Sequence, residues 1–502
     1  MENTPSMSIC IAAAAALIVT CVVTSLLSLA LLLRRISSAV GLAGPTTAML
    51  KEEEPAKNAA LFRHLPKLAT KFAWRSLGVK KATPIHVCRI PSKEDDGKEL
   101  SFLLKREDLI LDDYGGNKVR TLQHQLAVCE ARREGGEKAF QQLVSLGSGG
   151  SNQVIATVVH ARKLGWDGKE GDINCCWFDS DEPDLDNTLN MLSVLSFPNV
   201  GFTHDWGEFG MGKTLGAIRE AWTQTNMVPM PMGGNCPSGV LGQVGGILEL
   251  AEQIVAGESP DPTRIYVPIG SGCTVSGLIL GTVLVRHLGI KALSGPHFEI
   301  VGCNVHDGFA AGDRALRLHI NPLFKFMPLT ITHSVLSACQ ALVEMGGPDL
   351  TKEAMEFIQS SVSLRSDKDV VGKYGGHSDL TRETAKCYDE KGSVTNLKTG
   401  SKEKNLWMCG HFVAKAVHPL LQDLEATCGD SESKEQYMLW MTKSAVQPRG
   451  DVDEWSKFVR SNDAVKKWAN KGKAESVLRP GRVDTNDGKP EDYRSLMTSV
   501  LE

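Results

Sequence analysis

Four short glycine-rich runs carry the residues most able to do chemistry. The first is Tyr114-Gly115-Gly116-Asn117-Lys118-Val119-Arg120, which follows the strand-like FLLKREDL and opens a helix. Two glycines let the backbone turn tightly and leave room for a flat ligand. Asn117 is a candidate helix cap. Lys118 then falls in the first helical turn, where the positive end of the dipole disfavours a cation. A lysine there is a candidate for a lowered pKa and for Schiff-base chemistry. The plain alternative is an ordinary Gly-Gly turn with an exposed lysine.

The second run, from Ser145 to Gln153, follows the apolar QQLVSL and precedes the helical VIATVVHARKLG. Backbone N–H groups and the Ser151 hydroxyl converging on a helix start would suit a carboxylate or a phosphate. The alternative is an N-capping Ser or Asn in a strand–helix loop. The third run, Gly270 to Gly277, lies between the strand IYVPI and a long apolar helix. It lacks the Gly-Lys-Ser/Thr ending of a Walker loop. Its third glycine comes too late for a dinucleotide fingerprint, and EIVGCNV ends without an acid. A monophosphate is the expected ligand. The fourth run, Gly233 to Gly239, reads by itself as a flexible strand–helix connection.

Elements must hold these runs in place. Short β-branched segments (IHVCRI, SFLLKRE, QQLVSLG, DINCCWF, RIYVPIG, HFEIVGCNV, YMLWMTKS) alternate with longer helical ones from about Ala82 onward. That alternation predicts parallel sheets with helices on both faces. At 502 residues the chain has room for two to four folding units. With 42% hydrophobic and 23% charged residues it is neither disordered nor a multi-span membrane protein. A net charge of −4 gives no field for a dedicated nucleic-acid binder. The 13 cysteines include no C-x-x-C pair, so zinc-ribbon and thioredoxin-like readings fail, and no metal site is expected. Scattered cysteines suit a reducing compartment.

Residues 8–33 carry no charge and are long enough to cross a bilayer as a helix. Arg34 and Arg35 follow, which predicts a cytosolic side for everything after them. Residues 1–40 are therefore read as a single transmembrane anchor. An organelle-targeting segment, mitochondrial for example, is the alternative. Residues 41–81 read as a linker, its Gly, Pro and charge run clearest over 41–57. The polar residues 451–502 read as an extension.

Taken together, the runs resemble fold-type II pyridoxal-phosphate enzymes, the tryptophan-synthase-β class. More narrowly they resemble the D-cysteine desulfhydrase and 1-aminocyclopropane-1-carboxylate deaminase family. GGNKVR, GGSNQ, GGNCPSGVLG, GSGCTVSG and Tyr374-Gly375-Gly376-His377-Ser378-Asp379 occur in the family's order, between about Thr83 and Gln447. The resemblance implies two domains of three-layer open twisted sheets over 82–450. The smaller would span about 130–230, the larger about 82–129 and 231–450, with the cofactor between them.

The resemblance also implies roles. Lys118 would be the Schiff-base lysine and catalytic base. Ser151, Asn152 and Gln153 would hold the substrate carboxylate and the cofactor's ring oxygen. Gly270, Ser271, Gly272, Cys273 and Thr274 would bind the phosphate of pyridoxal 5′-phosphate. Asp379 would face the pyridine nitrogen and keep it protonated. Tyr374 and Thr442 would line the substrate. The expected reaction is lyase or deaminase chemistry on a small amino acid, first D-cysteine going to pyruvate, hydrosulfide and ammonia. A 1-aminocyclopropane-1-carboxylate deaminase and a membrane-tethered cofactor-binding pseudoenzyme are the alternatives. A homodimer is implied as well. The chain departs from the family at Thr121, where a second lysine is usual, and at Met441-Thr442-Lys443-Ser444, where a glycine pair is usual. Thr442 leans toward the desulfhydrases and Asp379 toward the deaminases. Residues 307–373 read as longer and more polar than the family needs.

Overall fold

The structure is a computed structural model. It describes residues 39–53, 55–92, 98–167, 172–178, 185–201, 227–306, 326–371, 376–404, 407–410, 412–427, 436–448, 450, 466–468, 470 and 482–484. The apolar stretch 8–33, Tyr374 and most of 451–502 lie outside them.

Two sheets organise the chain. The strands are β1 (Ile85–Pro91), β2 (Glu99–Arg106), β3 (Gln142–Ser148), β4 (Ile173–Phe178), β5 (Val200–Gly201), β6 (Met227–Met230), β7 (Arg264–Ile269), β8 (Glu299–Asn304), β9 (Val362–Arg365), β10 (Ser393–Asn396), β11 (Lys402–Lys404) and β12 (Tyr437–Met441). The larger sheet runs β11-β10-β1-β2-β12-β7-β8-β9 and the smaller β5-β4-β3-β6. The smaller is parallel throughout and uses strands from 142 to 230. The larger is parallel only from β2 to β9. Its other edge, β11-β10-β1-β2, is antiparallel, which departs from the all-parallel expectation. The reason is connection length. Only residues 92–98 separate β1 from β2, and a parallel return needs a dozen or more residues.

Nine helices matter to the argument: α1 (Lys118–Glu134), α2 (Asn152–Ala161), α3 (Leu185–Leu195), α4 (Pro237–Val255), α5 (Cys273–His287), α6 (Phe326–Glu344), α7 (Thr351–Ser361), α8 (Asp379–Lys391) and α9 (Val413–Thr427). Alternate residues of the central strands serve opposite faces, as the strand period of two requires. Leu103, Ile265, Val267, Met438 and Trp440 join the core that contains Val240, Val244 and Ile247 of α4 and Leu278 of α5. Leu104, Tyr266, Leu439 and Met441 join a second core with Val413, Val417 and Leu420 of α9. Both faces are thus covered, and the strands read as unbroken apolar runs for that reason. Each fully buried Val, Leu or Ile side chain contributes roughly 1.5–3 kcal/mol.

Two further expectations change. Part of the supposed linker is structured, with helices over Thr47–Glu53 and Pro55–Asn58. Val40 and Met49 are fully buried in the main core, and the Arg132 guanidinium donates to the Val40 carbonyl at 3.0 Å. A few apolar side chains facing an open core outweigh the local Gly and Pro signals. The stretch after 307 is not merely polar either. Residues 307–325 are outside the described ones, but α6 buries Ile331, Val335, Ala338, Cys339 and Leu342 against the same core as α4 and α5.

Candidate active site

The turn before α1 is held by its backbone. The Gly116 N–H donates to the Glu107 carbonyl at 2.8 Å, and the Asn117 N–H to the Thr442 carbonyl at 3.0 Å. The Gly115 N–H reaches the Ser444 hydroxyl at 3.3 Å, and Gly116 pairs with Lys443 in an antiparallel bridge. Gly116 has φ +101°, and a Cβ there would sit 2.7 Å from the Thr442 carbonyl oxygen. Only glycine fits both the angle and the space. Residues 442–444 follow β12, so the end of one central strand seats the turn that begins α1.

Asn117 does not cap α1 with its side chain. Its Nδ2 donates instead to the Thr274 hydroxyl at 2.6 Å, and its carbonyl accepts from Gln243 Nε2 at 2.6 Å. One residue thereby joins the starts of α1 and α5 to the middle of α4. Lys118 follows, half-buried, with Nζ donating to the Gly233 carbonyl at 2.9 Å. Burial lowers its pKa, and the nearby Cys273 opposes that only in part. The amine is therefore easier to deprotonate than a surface lysine, which a nucleophile or base requires.

The loop Gly233-Gly234-Asn235 is the hub that sequence reasoning undervalued. The Gly233 carbonyl receives both Lys118 Nζ and, at 3.3 Å, the Ser271 hydroxyl. The Gly234 carbonyl accepts from Gln125 Nε2 at 2.8 Å and from the Cys273 thiol at 3.3 Å. Asn235 Nδ2 donates to the Ser271 carbonyl at 2.7 Å. A signal existed in the chain: Gly-Gly-Asn occurs twice before a helix, at 115–117 and at 233–235.

The run from Gly270 to Thr274 begins α5 directly after β7. Gly272 adopts φ +85° before the helix, and no side chain caps it. The first N–H groups of a helix lack intrahelical partners; here the Cys273 N–H lies 3.5 Å from the Ser271 hydroxyl. Cys273 is buried, and burial pushes its thiol up to about 12, leaving it neutral. Its sulfur lies 3.8 Å from the Thr121 hydroxyl, which also accepts from Gln243 Nε2 at 2.8 Å. Thr121 is thus a buried polar strut with no charge.

The remaining expected residues divide. Ser151 is buried but makes no capping bond to α2. Asn152 Oδ1 accepts from Asn190 Nδ2 at 2.7 Å. Gln153 reaches the hub: its Oε1 lies 3.1 Å from where a Cβ on Gly234 would stand and has no hydrogen-bond partner among the described residues. Thr442 joins through its carbonyl, as above. Tyr374 is outside the described residues. Asp379 stands at the start of α8, behind a capping box made by Ser378 and Thr381. Its side chain is 95% exposed and 3.7 Å from Arg382, an open surface position and not the enclosed one that the resemblance implies. The structure therefore brings Lys118, Gln153, Ser271 and Cys273 to Gly233 and Gly234, ties Thr274 and Thr442 to Lys118's neighbour Asn117, and leaves Asp379 outside.

No family model matches the chain. Solved structures similar to it include a 1-aminocyclopropane-1-carboxylate (ACC) deaminase homologue, at 19% identity and TM-score 0.48, over 76% of this chain and 94% of that one. A threonine synthase from yeast is 14% identical with TM-score 0.44, over 91% of this chain and 87% of that one. A threonine synthase from Brucella melitensis with pyridoxal phosphate (PLP) bound is 12% identical with TM-score 0.41, over 93% and 88%.

Proposed function

We propose that the chain is a pyridoxal-phosphate enzyme of lyase or deaminase type, acting on a small amino acid. The observation that carries the reading is the convergence on one carbonyl: Lys118 Nζ and the Ser271 hydroxyl both donate to Gly233. An amine of lowered pKa and the loop that starts α5 thus meet at one carbonyl. The residues fit the cofactor's two demands. Lys118 would take its aldehyde, and the run from Gly270 to Thr274 its phosphate. Two polar atoms with no partner among the described residues, Gln153 Oε1 and Asn235 Oδ1, border the same space.

When bound, the cofactor supplies an electron sink for bonds broken at the amino acid's α-carbon. The rest falls to the chain's own groups. With a substrate that carries an α-hydrogen, such as D-cysteine, Lys118 Nζ, readily deprotonated, accepts that proton and returns it later; 1-aminocyclopropane-1-carboxylate has no α-hydrogen, so its ring would open without that step. Ser151, Asn152 and Gln153, at the start of α2, orient the substrate carboxylate. The close packing of α1, α4 and α5 keeps water from that face. D-cysteine is the first substrate by this reading and 1-aminocyclopropane-1-carboxylate the second. Residues 8–33 anchor the body to a membrane, and two copies associate.

Purified protein with added pyridoxal phosphate should develop visible absorbance that Lys118→Ala abolishes. D-cysteine, L-cysteine and 1-aminocyclopropane-1-carboxylate are then compared for release of pyruvate, hydrosulfide and 2-oxo acid. A colourless, unchanged wild-type protein would overturn the enzyme reading in favour of a non-catalytic role.

A further inference from the structure

Behind Lys118 lies a group of buried charges that the reaction does not use. Arg120 donates through its terminal nitrogen to Glu107 Oε1 and to Glu249 Oε1, both at 2.8 Å, and through Nε to Glu107 Oε2. Lys105 Nζ donates to Glu249 at 2.7 Å, to Gln253 Oε1 at 2.6 Å and to the Thr83 carbonyl at 3.0 Å. The Thr83 hydroxyl donates to Glu107 at 2.8 Å, and its N–H to Glu249 at 2.9 Å. All of these side chains are buried.

We infer that Arg120, gripped by Glu107 and Glu249, is the positioning residue that fixes the direction and depth of the Lys118 amine. Helix geometry supports this. Residues two apart on a helix point about 200° apart, so Arg120 holds the back of α1 while Lys118 turns to the Gly233 carbonyl. The same Glu107 also holds the residue pair before Lys118, because its carbonyl accepts the Gly116 N–H at 2.8 Å. Glu249 sits on α4, and the hub loop that receives Lys118 Nζ leads directly into α4. Lysine, grip and receiving carbonyl are therefore referenced to one another through two rigid elements. Buried ion networks are poor sources of stability, and in some proteins they serve instead to fix geometry. A guanidinium suits this because its rigid planar fork meets Glu107 with two N–H bonds in fixed directions while also reaching Glu249, a directional grip that a rotating ammonium lacks.

The inference rests on Lys118 being the reactive amine, but its test does not need the cofactor. Full-length protein, freed of cofactor with hydroxylamine, is trace-labelled with acetic anhydride across a pH series. Labelling of the Lys118 peptide is read by mass spectrometry in wild type, Arg120→Lys and Arg120→Met. Cys273 is the titratable neighbour whose charge bears on Lys118, and it is unchanged in all three. Expected is an upward move of the Lys118 midpoint by about one pH unit in both variants, a tenfold change in the free-amine fraction. Arg120→Lys keeps the charge and loses only the fork, so it decides the matter even if Arg120→Met fails to fold. A folded Arg120→Lys that matches wild type overturns the inference, whatever Arg120→Met does. If pyridoxal phosphate never binds, the proposed function fails and this measurement still stands.

Discussion

Glycine and threonine positions set the finest constraints around Lys118. Gly116 combines a left-handed φ with a carbonyl 2.7 Å from any added Cβ. Gly116→Ala should therefore lower stability by about 1–3 kcal/mol, and calorimetry of the two proteins checks it. It should also weaken the visible signal from added pyridoxal phosphate, because Asn117 and Lys118 follow at once. Thr121 makes a smaller, separable contribution. Thr121→Val keeps the shape but removes the acceptor for Gln243 Nε2, whose other bond goes to the Asn117 carbonyl. The expected loss is about 0.5–1.5 kcal/mol in chemical denaturation, with Lys118 still present and reactive.

At the scale of elements, β2, α1 and α4 meet through charge. Burial alone would raise the Glu249 carboxyl, but Arg120 and Lys105 override it and hold it at about 2. Its unfolded value is about 4.3. A carboxyl depressed in the folded state stabilises fully above its unfolded value and loses that contribution as pH falls toward the folded one. Melting temperature should thus drop between about pH 4.3 and 2 in wild type. Glu249→Gln should start lower at pH 7, with two cations left short of a partner, and fall less steeply over the same interval. Equal slopes would show that the group does not titrate as described. His124 marks the opposite case: burial against the stacked Phe72 ring lowers it to about 3, so it stays neutral at ordinary pH.

For the whole molecule, the N-terminal boundary is the sharpest question. Among the described residues no helix is long and apolar enough to cross a membrane, and 8–33 lies outside them. The proposed anchor makes a definite demand. Removing residues 1–38 should release the protein from membranes while leaving its melting temperature alone. Removing 1–50 should also destabilise it, because Val40 and Met49 leave the core, at roughly 1.5–3 kcal/mol each. Fractionation and thermal melts of both truncations read the two effects separately. Membrane retention of the shorter truncation would sink the anchor.

Local chemistry made much of this legible in advance. Strand segments such as RIYVPIG and SFLLKRE stood out because continuous burial demands unbroken apolar runs. Lys118 is legible as a candidate because it falls in the first turn of a helix, where a cation is disfavoured, although the motif alone also reads as an ordinary Gly-Gly turn. What the sequence could not say is who meets whom. That Gly233 receives Lys118 depends on how α1 and the β6–α4 loop pack together, a relation between residues more than a hundred positions apart. Asn117 reads as a cap by type, yet its side chain goes to Thr274, because tertiary packing offered a better partner than its own helix. Asp379 has the right neighbours in sequence but an exposed place in space. Residue type and spacing determined the elements and the list of reactive groups. Only the packing of α1, α4 and α5 decided which of those groups share a cleft, since hydrogen bonds and burial are satisfied in three dimensions and not along the chain.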